Sequence, residues 1–377
     1  HLLLDQLGQI DEVLVTDRFF RAELAGQIAS CREFEARFSR AVPVIYVQGT
    51  VENPAGNLRA GRVTVIGADA EFWTLGSGGP VTVPAGGEIV LNASLADEIQ
   101  AKVGDEVLLR IGGASQIPAD SALGRKTETV RNRRLRVSAI IAAEGLGRFA
   151  LNPSQQIPLD AFVATETLQD ALEQPGKVNA IFVSGRGDGP PSEADDKVLT
   201  ACLRPTLADY GIQIEPHKLG YVQLTGNRML LEPIVVAAAN KAFAADRAAD
   251  VLTYLANTIR VGDREIPYST ITAIDFAADP PLGPFKTPDG KPVEPLQDDE
   301  IALNAWAAKD LGAKPGDEVE ITYFEPESTH GNVRESKAKF RLKEIVGLAG
   351  LAADPDLTPR LPGVTDQLSI GDWDAPF

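Results

Sequence analysis

Histidines and cysteines are the residues of this 377-residue chain whose types could support catalysis or metal binding. The histidines are His1, His217 and His330, and none belongs to an HxxxH or HExxH pair, so the sequence predicts no histidine-based metal site. The GxSxG motif, which marks the nucleophile of many hydrolases, does not occur. We therefore predict that the chain is not an enzyme, and we expect His217 and His330 to be exposed or hydrogen-bonded.

The two cysteines, Cys31 and Cys202, lack the CxxC or Cys/His spacing of a zinc or redox site. Two interpretations are open: a pair of free buried thiols, which we favour, or a single disulfide formed in an oxidising compartment. A phosphate-binding GxxxxGK[ST] motif is absent as well. The sequence therefore predicts no cofactor.

Basic residues are concentrated in one segment of an otherwise acidic chain. The formal net charge is −17, from 36 Lys and Arg against 53 Asp and Glu, and this argues against nucleic acid as a partner. We consider two interpretations of the basic segment: a solvated strand face that neutralises nearby acids, or a surface that contacts anionic lipid head groups or an acidic protein partner. The candidate surface residues are Arg125, Lys126, Arg131, Arg133, Arg134 and Arg136.

An internal duplication organises the elements that carry these residues. Residues 88–107 recur without a gap at 300–319, with 12 of 20 positions identical, so one structural unit has been built twice. In each copy a short strand leads to a capping asparagine, Asn92 or Asn304, and to a short helix. A Gly-Asp pair then turns the chain into the next strand, and we interpret that pair as a turn instead of a cation site.

The patterns predict an α+β fold with internally duplicated β-rich, barrel-like lobes. A longer helix precedes each lobe, at 19–38 and at 230–249, and a strand-helix-strand unit at 179–214 lies between the copies. The predicted domains are an N-terminal strand and helix, the first lobe, the strand-helix-strand subdomain, a second strand and helix, the second lobe and a C-terminal tail, at 1–42, 43–147, 148–221, 222–250, 251–351 and 352–377.

Three segments of the first copy, GRVTVIGADAEFW, GGEIVLNASLADEIQAKVGDEVLLRI and LRVSAIIAAEG, together with the run PADSALGRK at 118–126, resemble a known family. They are similar to the extracytoplasmic core domain of FtsX-like and MacB-like ABC transporter permeases, and the resemblance covers 13–220. It implies a β-rich lobe beside porter-like strand-helix-strand subdomains, with no chemistry in the domain itself. The second lobe departs from the family, whose core domain usually has one.

The resemblance implies a periplasmic domain that membrane helices outside this chain anchor to the membrane. Such a domain couples transport or signalling to a separate ABC ATPase subunit, and the full-length protein is expected to contact a membrane surface or an extracytoplasmic protein and to form a homodimer. An alternative is a free-standing secreted or periplasmic module whose two lobes bind a ligand. A hydrolase would require His217 or His330 beside a serine and an aspartate.

Overall fold

A computed structural model describes residues 7–80, 83–112, 130–151, 157–186, 192–227, 230–243, 248–276, 278–325 and 334–358. The described residues form two compact units, which meet in the sequence at residues 212 and 213. The fold is mixed α/β, with one barrel-like sheet and one half-barrel sheet. Among the described residues, no helix has the length and apolar character needed to cross a membrane.

The first unit contains eight strands and six short helices among its described residues. The strands are β1 Glu12–Arg21, β2 Phe38–Asn53, β3 Leu58–Gly67, β4 Glu88–Asn92, β5 Glu106–Gly112, β6 Val130–Ile141, β7 Asp160–Val163 and β8 Lys177–Gly185. The helices are α1 Glu23–Ala29, α2 Arg32–Glu35, α3 Ala70–Trp73, α4 Ala93–Glu98, α5 Thr165–Leu172 and α6 Glu193–Cys202.

The second unit begins within a two-stranded sheet and continues into the second copy. Its strands are β9 Ile212–Pro216, β10 Val222–Gly226, β11 Leu252–Val261, β12 Arg264–Ala273, β13 Glu300–Asn304, β14 Glu318–Phe324 and β15 Glu335–Val346. Its helices are α7 Pro233–Ala242 and α8 Ala305–Leu311.

The first sheet has the strand order β1-β8-β2-β3-β7-β4-β6-β5, and a further pairing between β2 and β5 closes six strands into a barrel. Strand β2 serves both parts of the sheet, because its first half pairs with β8 and its second half pairs with β3 and β5. Buried aliphatic side chains such as Val65, Leu91 and Val107 belong to the largest core cluster. The first lobe is therefore barrel-like, as the alternating strands predicted, and the structure shows that this barrel is closed.

The second copy repeats the same elements in the same order but forms an open sheet, β12-β11-β14-β15-β13. Strands β11 to β15 correspond in turn to β2, β3, β4, β5 and β6, and α8 corresponds to α4. The parallel pairing of β4 with β6 recurs as the pairing of β13 with β15. The duplication is thus structural, and the second copy is a half-barrel.

The capping and turn predictions are confirmed in both copies. The Asn92 side chain accepts a hydrogen bond from the Leu95 N–H at 3.0 Å, and Asn304 accepts one from the Ala307 N–H at 2.8 Å. In the Gly-Asp turns, the glycines have φ values of +98° and +100°, which favour a residue without a Cβ. Each turn aspartate, Asp105 or Asp317, accepts a backbone N–H from its own turn at 2.8 Å. The Gly-Asp pairs are therefore local turns.

The hairpins that open the two lobes differ in length. If Tyr46 is aligned with Tyr254 in the sequence, constant spacing places Thr64 on Thr272, but the strand pairing places Ser269 at the position equivalent to Thr64. The connection is four residues long in the first copy, at 54–57, and two residues long in the second, at 262–263. A bulge in the first hairpin supplies the remaining residue of the shift.

The helix predicted over 19–38 is wrong in its extent. Strand β1 runs to Arg21, and two short helices, α1 and α2, occupy only part of the remaining segment. The apolar residues Leu24, Ala25 and Ile28 do form a buried stripe on α1. Cys31, with extended φ and ψ angles of −73° and 131°, separates α1 from α2. The apolar periodicity therefore predicted the buried face of α1 but did not predict the interruption between α1 and α2 at Cys31.

Candidate interaction surface

The basic segment of the first copy lies on β6, where strand alternation divides its arginines between two faces. Arg131 and Arg133 point to the same side as the buried Leu135, whereas Arg134 and Arg136 point to the opposite side. The sequence already contained this signal, since Leu135 continues the period-two pattern of Arg131 and Arg133. The four described arginines therefore do not form one continuous face, and Arg125 and Lys126 lie outside the described residues.

Arg131 and Arg133 bind the C-terminal end of α5. The Arg131 guanidinium forms an ion pair of 2.7 Å with Glu173, which caps that helix. Arg133 donates a hydrogen bond from Nη2 to the Asp170 carbonyl at 3.3 Å. The last carbonyls of a helix carry a partial negative charge, so cations are stabilising there. These two arginines therefore have a structural role that links β6 to α5.

The outward face of β6 offers one arginine for contact with a partner. Arg136 forms an ion pair of 2.6 Å with Glu88. Arg134 is exposed, forms no salt bridge within the described part of the chain, and lies opposite Leu108 in the β5–β6 pairing. The residue directly opposite Arg134 on β5 is therefore a leucine and not an acid. Whether this face binds lipid or protein remains a prediction.

The corresponding strand of the second copy, β15, has basic residues that are paired within their own lobe. Lys337 contacts Glu320 at 2.9 Å, and Lys339 contacts Glu318 at 2.7 Å. Glu300, which is buried, binds both Arg341 and Lys343. A hydrogen bond from the Gln297 N–H and the two cations lower the pKa of the Glu300 carboxyl. These four basic residues of β15 therefore all form ion pairs with acids of their own lobe. Strand β6 differs, because its outward residue Arg134 forms no salt bridge among the described residues.

His217 lies in a hydrogen-bonded cluster with two carboxylates of the second unit. Its Nε2 atom is 3.0 Å from Asp356 and 3.5 Å from Asp354, and its Nδ1 atom accepts the Leu219 N–H at 3.3 Å. The Tyr221 hydroxyl donates to Asp354 at 2.7 Å, and its ring stacks on the imidazole with centroids 4.3 Å apart. The prediction of a hydrogen-bonded His217 is therefore confirmed, whereas His330 lies outside the described residues.

The donor atoms of the His217 cluster are close enough together to bind a metal ion. His217, Asp354 and Asp356 present one nitrogen and two oxygen atoms within 4.8 Å of one another, a donor set that a divalent cation could use. Because Nδ1 accepts a backbone N–H, the imidazole proton lies on Nε2, where it is donated to a carboxylate. Among the described residues, no serine hydroxyl hydrogen-bonds to His217. The arrangement is a structural network that links the β9–β10 turn to residues 354–356.

Cys31 and Cys202 form a disulfide, so our preference for free thiols is wrong. Cys31 immediately precedes α2, and Cys202 is the last residue of α6. A second contact near the bridge is the ion pair of 2.7 Å between Arg37, which follows α2, and Asp195 of α6. No local sequence pattern predicts the bridge, because the cysteines are 171 residues apart.

Asp160 is a titratable residue that the sequence analysis missed. It is the first residue of β7, it is fully buried, and its Oδ1 atom has no hydrogen-bond partner among the described residues. Burial raises the pKa of the Asp160 carboxyl to about 8, so the acid is largely protonated at neutral pH. The Asn92 Nδ2 atom is 3.4 Å from Asp160 Oδ2, and a backbone hydrogen bond from Phe149 opposes the rise in the pKa. Because Asp160 is fully buried and contacts Asn92, we interpret it as a residue that contributes to the fold.

Comparisons with known proteins found similarity to solved structures only. No protein-family model matches the chain, and no curated protein matches it. The periplasmic region of MacB from Actinobacillus actinomycetemcomitans is 12% identical with a TM-score of 0.33, and the match covers 64% of this chain and 98% of that one. The extracellular domain of the ABC-type transporter YknZ from Gram-positive bacteria is 9% identical with a TM-score of 0.33, covering 57% and 98%.

A third solved structure, a permease domain from Porphyromonas gingivalis, is 12% identical with a TM-score of 0.32, and the match covers 62% of this chain and 97% of that one. The identities and TM-scores are low in each case.

Proposed function

We propose that this chain is a non-catalytic extracytoplasmic domain of an ABC transporter permease subunit, which couples transport or signalling across the membrane to a separate ATPase. The observation that carries the proposal is the Cys31–Cys202 disulfide, because structural disulfides persist in oxidising compartments such as the periplasm. The assignment to the permease family in this proposal rests on the sequence resemblance of the first copy, above all on the segment at 86–107.

In this proposal the first unit contains both parts of a permease core domain. The closed barrel is the β-rich lobe, and the extension of the sheet through β8 and β1, covered by α1, α2 and α6, is the porter-like subdomain. The disulfide holds α6 to the start of α2 within this extension. Membrane helices encoded outside this chain would anchor the domain and contact the ATPase, and the full-length protein would act as a homodimer.

The decisive test uses the native reading frame. An apolar helix of about 20 residues before His1 and three more after Phe377 would support the permease proposal. The tagged full-length protein should then copurify from its own membranes with an ATPase subunit. A signal peptide in front and a stop codon directly behind would overturn the proposal and favour the free-standing ligand-binding module.

The contact between the β6 face and lipid is a separate proposal with its own test. Each basic residue near an anionic surface contributes about 1 kcal/mol to binding, so Arg134→Ser on the outward face should weaken association with anionic vesicles by about fivefold. Arg131 and Arg133 stay unchanged because they bind α5, and Lys339→Ser on β15 is the matched control. Unchanged vesicle binding by Arg134→Ser would show that this face of β6 does not contact lipid.

A further inference from the structure

The distances within the His217 cluster fit a shared metal ion better than hydrogen bonding alone. The Nε2 atom of His217 lies 3.0 Å from Asp356 Oδ2, a contact that the single imidazole proton accounts for. The distance from Nε2 to Asp354 Oδ1 is 3.5 Å, which is longer than a normal hydrogen bond. Ligand atoms about 2.1 Å from a tetrahedral zinc ion are about 3.4 Å from one another. The two observed distances lie on either side of that value.

The cluster is largely shielded from solvent. The side chain of His217 is 8% exposed and that of Asp354 is fully buried, whereas that of Asp356 is 25% exposed. Buried carboxylates in proteins are paired with cations or coordinate metal ions, because an isolated buried charge is costly. The exposure of Asp356 gives an ion from solvent a path to the imidazole and to Asp354. The cluster is therefore buried enough to hold an ion and open enough to admit one.

Neighbouring groups hold the three donor side chains in place. The Tyr221 hydroxyl donates to Asp354 Oδ2 at 2.7 Å, and the Tyr221 ring stacks on the imidazole of His217. The Asp356 N–H donates to Asp354 Oδ1 at 3.2 Å, and the Gln223 side chain donates to the Asp356 carbonyl at 3.1 Å. Hydrogen bonds of this kind orient the ligands of metal sites. The donor atoms are therefore preorganised for an ion.

The first copy has apolar residues where the second copy has these two carboxylates. In each copy a short 3-10 helix begins at a glycine with positive φ, Gly145 or Gly350. At equal spacing from that glycine, Phe149 corresponds to Asp354, and Leu151 corresponds to Asp356. Phe149 is fully buried in an apolar cluster against which Leu151 packs. The fold therefore does not require carboxylates at these positions, and their presence in the second copy indicates a role of their own.

We infer that His217, Asp354 and Asp356 bind one zinc ion, with water as the fourth ligand, and that this ion joins the β9–β10 turn to the segment after β15. One imidazole nitrogen with two carboxylate oxygens suits zinc, whereas calcium and magnesium prefer oxygen ligands alone. Local spacing does not reveal the site, because His217 and Asp356 are 139 residues apart. The site lies within the second unit and does not depend on the proposed coupling to an ATPase.

Zinc binding changes the tautomer of the His217 imidazole. In the structure Nε2 carries the proton, because Nδ1 accepts the Leu219 N–H at 3.3 Å. A ligating nitrogen must be unprotonated, so the proton moves from Nε2 to Nδ1 and the contact with the Leu219 N–H is lost. That contact is long for a hydrogen bond. The turn can adjust, because Gly220 beside Leu219 has a φ of +89° and open space around it.

The test is calorimetric titration of the full chain with zinc sulfate, after treatment with EDTA and dialysis. We expect one saturable site per chain, which His217→Gln and Asp354→Asn should each abolish. Tyr221→Phe keeps the stacked ring but removes the hydroxyl, so it should weaken binding about 10- to 100-fold. Asp289→Asn removes an exposed carboxylate of the same unit and, as the matched control, should bind zinc as the parent does. Titration with calcium or magnesium chloride should show no such site.

Nitrogen-15 NMR of the histidine-labelled full chain gives a second readout that does not depend on the folding of the ligand variants. His1→Gln and His330→Gln assign the His217 signals by elimination, and saturating zinc should move the His217 proton from Nε2 to Nδ1. The inference is overturned if the parent shows no saturable zinc binding, if the His217 tautomer stays unchanged, or if calcium binds as tightly as zinc. Parent-like zinc binding by a folded His217→Gln variant would place the ion elsewhere and also reject the site.

Discussion

Reduction of the Cys31–Cys202 disulfide should destabilise the first unit by several kcal/mol. The bridge closes a loop with a sequence separation of 171 residues. In the chain-entropy relation, a loop of that length removes about 17 cal/mol/K of entropy from the unfolded chain, which is about 5 kcal/mol at 25 °C. Loss of a native disulfide usually costs 2 to 5 kcal/mol, so we expect a decrease of about 2–5 kcal/mol in the free energy of unfolding.

The assay is urea denaturation with a tryptophan that reports on the first unit alone. Trp73 lies in α3 of that unit, so Trp306→Phe and Trp373→Phe remove the other two tryptophans. With a slope of about 2.5 kcal/mol/M, the expected loss moves the urea midpoint down by about 1–2 M when a reductant is added. The variant with both cysteines replaced by serine should unfold at this lower midpoint with or without reductant.

Two results would refute the reasoning. If reductant leaves the midpoint of the parent chain unchanged while mass spectrometry shows two free thiols, the bridge does not constrain the unfolded state of this unit. If the chain isolated under non-reducing conditions already carries two free thiols, the disulfide is absent, and the support it gives to an extracytoplasmic location is lost as well.

Three further changes test the polar contacts of the first unit. Because burial raises the pKa of Asp160 to about 8, its contribution to stability is complete below the unfolded pKa of about 4 and is lost as the pH rises through 8. Asp160→Asn should therefore flatten the pH dependence of unfolding between pH 4 and 9, and an unchanged slope would contradict the raised pKa. Asn92→Ala should cost about 3 kcal/mol or more in urea denaturation, because it leaves buried N–H and C=O groups without partners, whereas the matched Asn304→Ala should cost about 1 kcal/mol for the helix cap alone; equal costs would refute the difference in burial. Although burial opposes it, hydrogen bonding from Arg21 lowers the pKa of Asp209, so this pair stabilises the fold above pH 4 and loses its effect on acidification. Arg21→Met should lower stability at pH 7 by about 3 kcal/mol and reduce the loss between pH 4 and 2, and a parent-like acid profile would contradict the pairing.

Sequence alone determined the features that depend on neighbouring residues. The caps at Asn92 and Asn304, the Gly-Asp turns and the order of strands in both copies follow from local hydrogen bonding and side-chain periodicity, which act over a few residues. The sequence also revealed the internal duplication, because a repeated pattern can be recognised without knowledge of any contact. The alternation that divides the β6 arginines was also present in the sequence, but their partners on α5 were not.

Only the tertiary structure decided which distant segments meet. The Cys31–Cys202 bridge, the burial of Asp160 against Asn92 and the closure of the first barrel by β7 join residues far apart in the chain, and such contacts leave no local pattern. Their formation depends on packing the whole apolar core, whose free energy is shared among many residues. For the same reason, the segments 88–107 and 300–319, which share 12 of 20 residues, lie in a closed barrel in one copy and at the edge of an open sheet in the other.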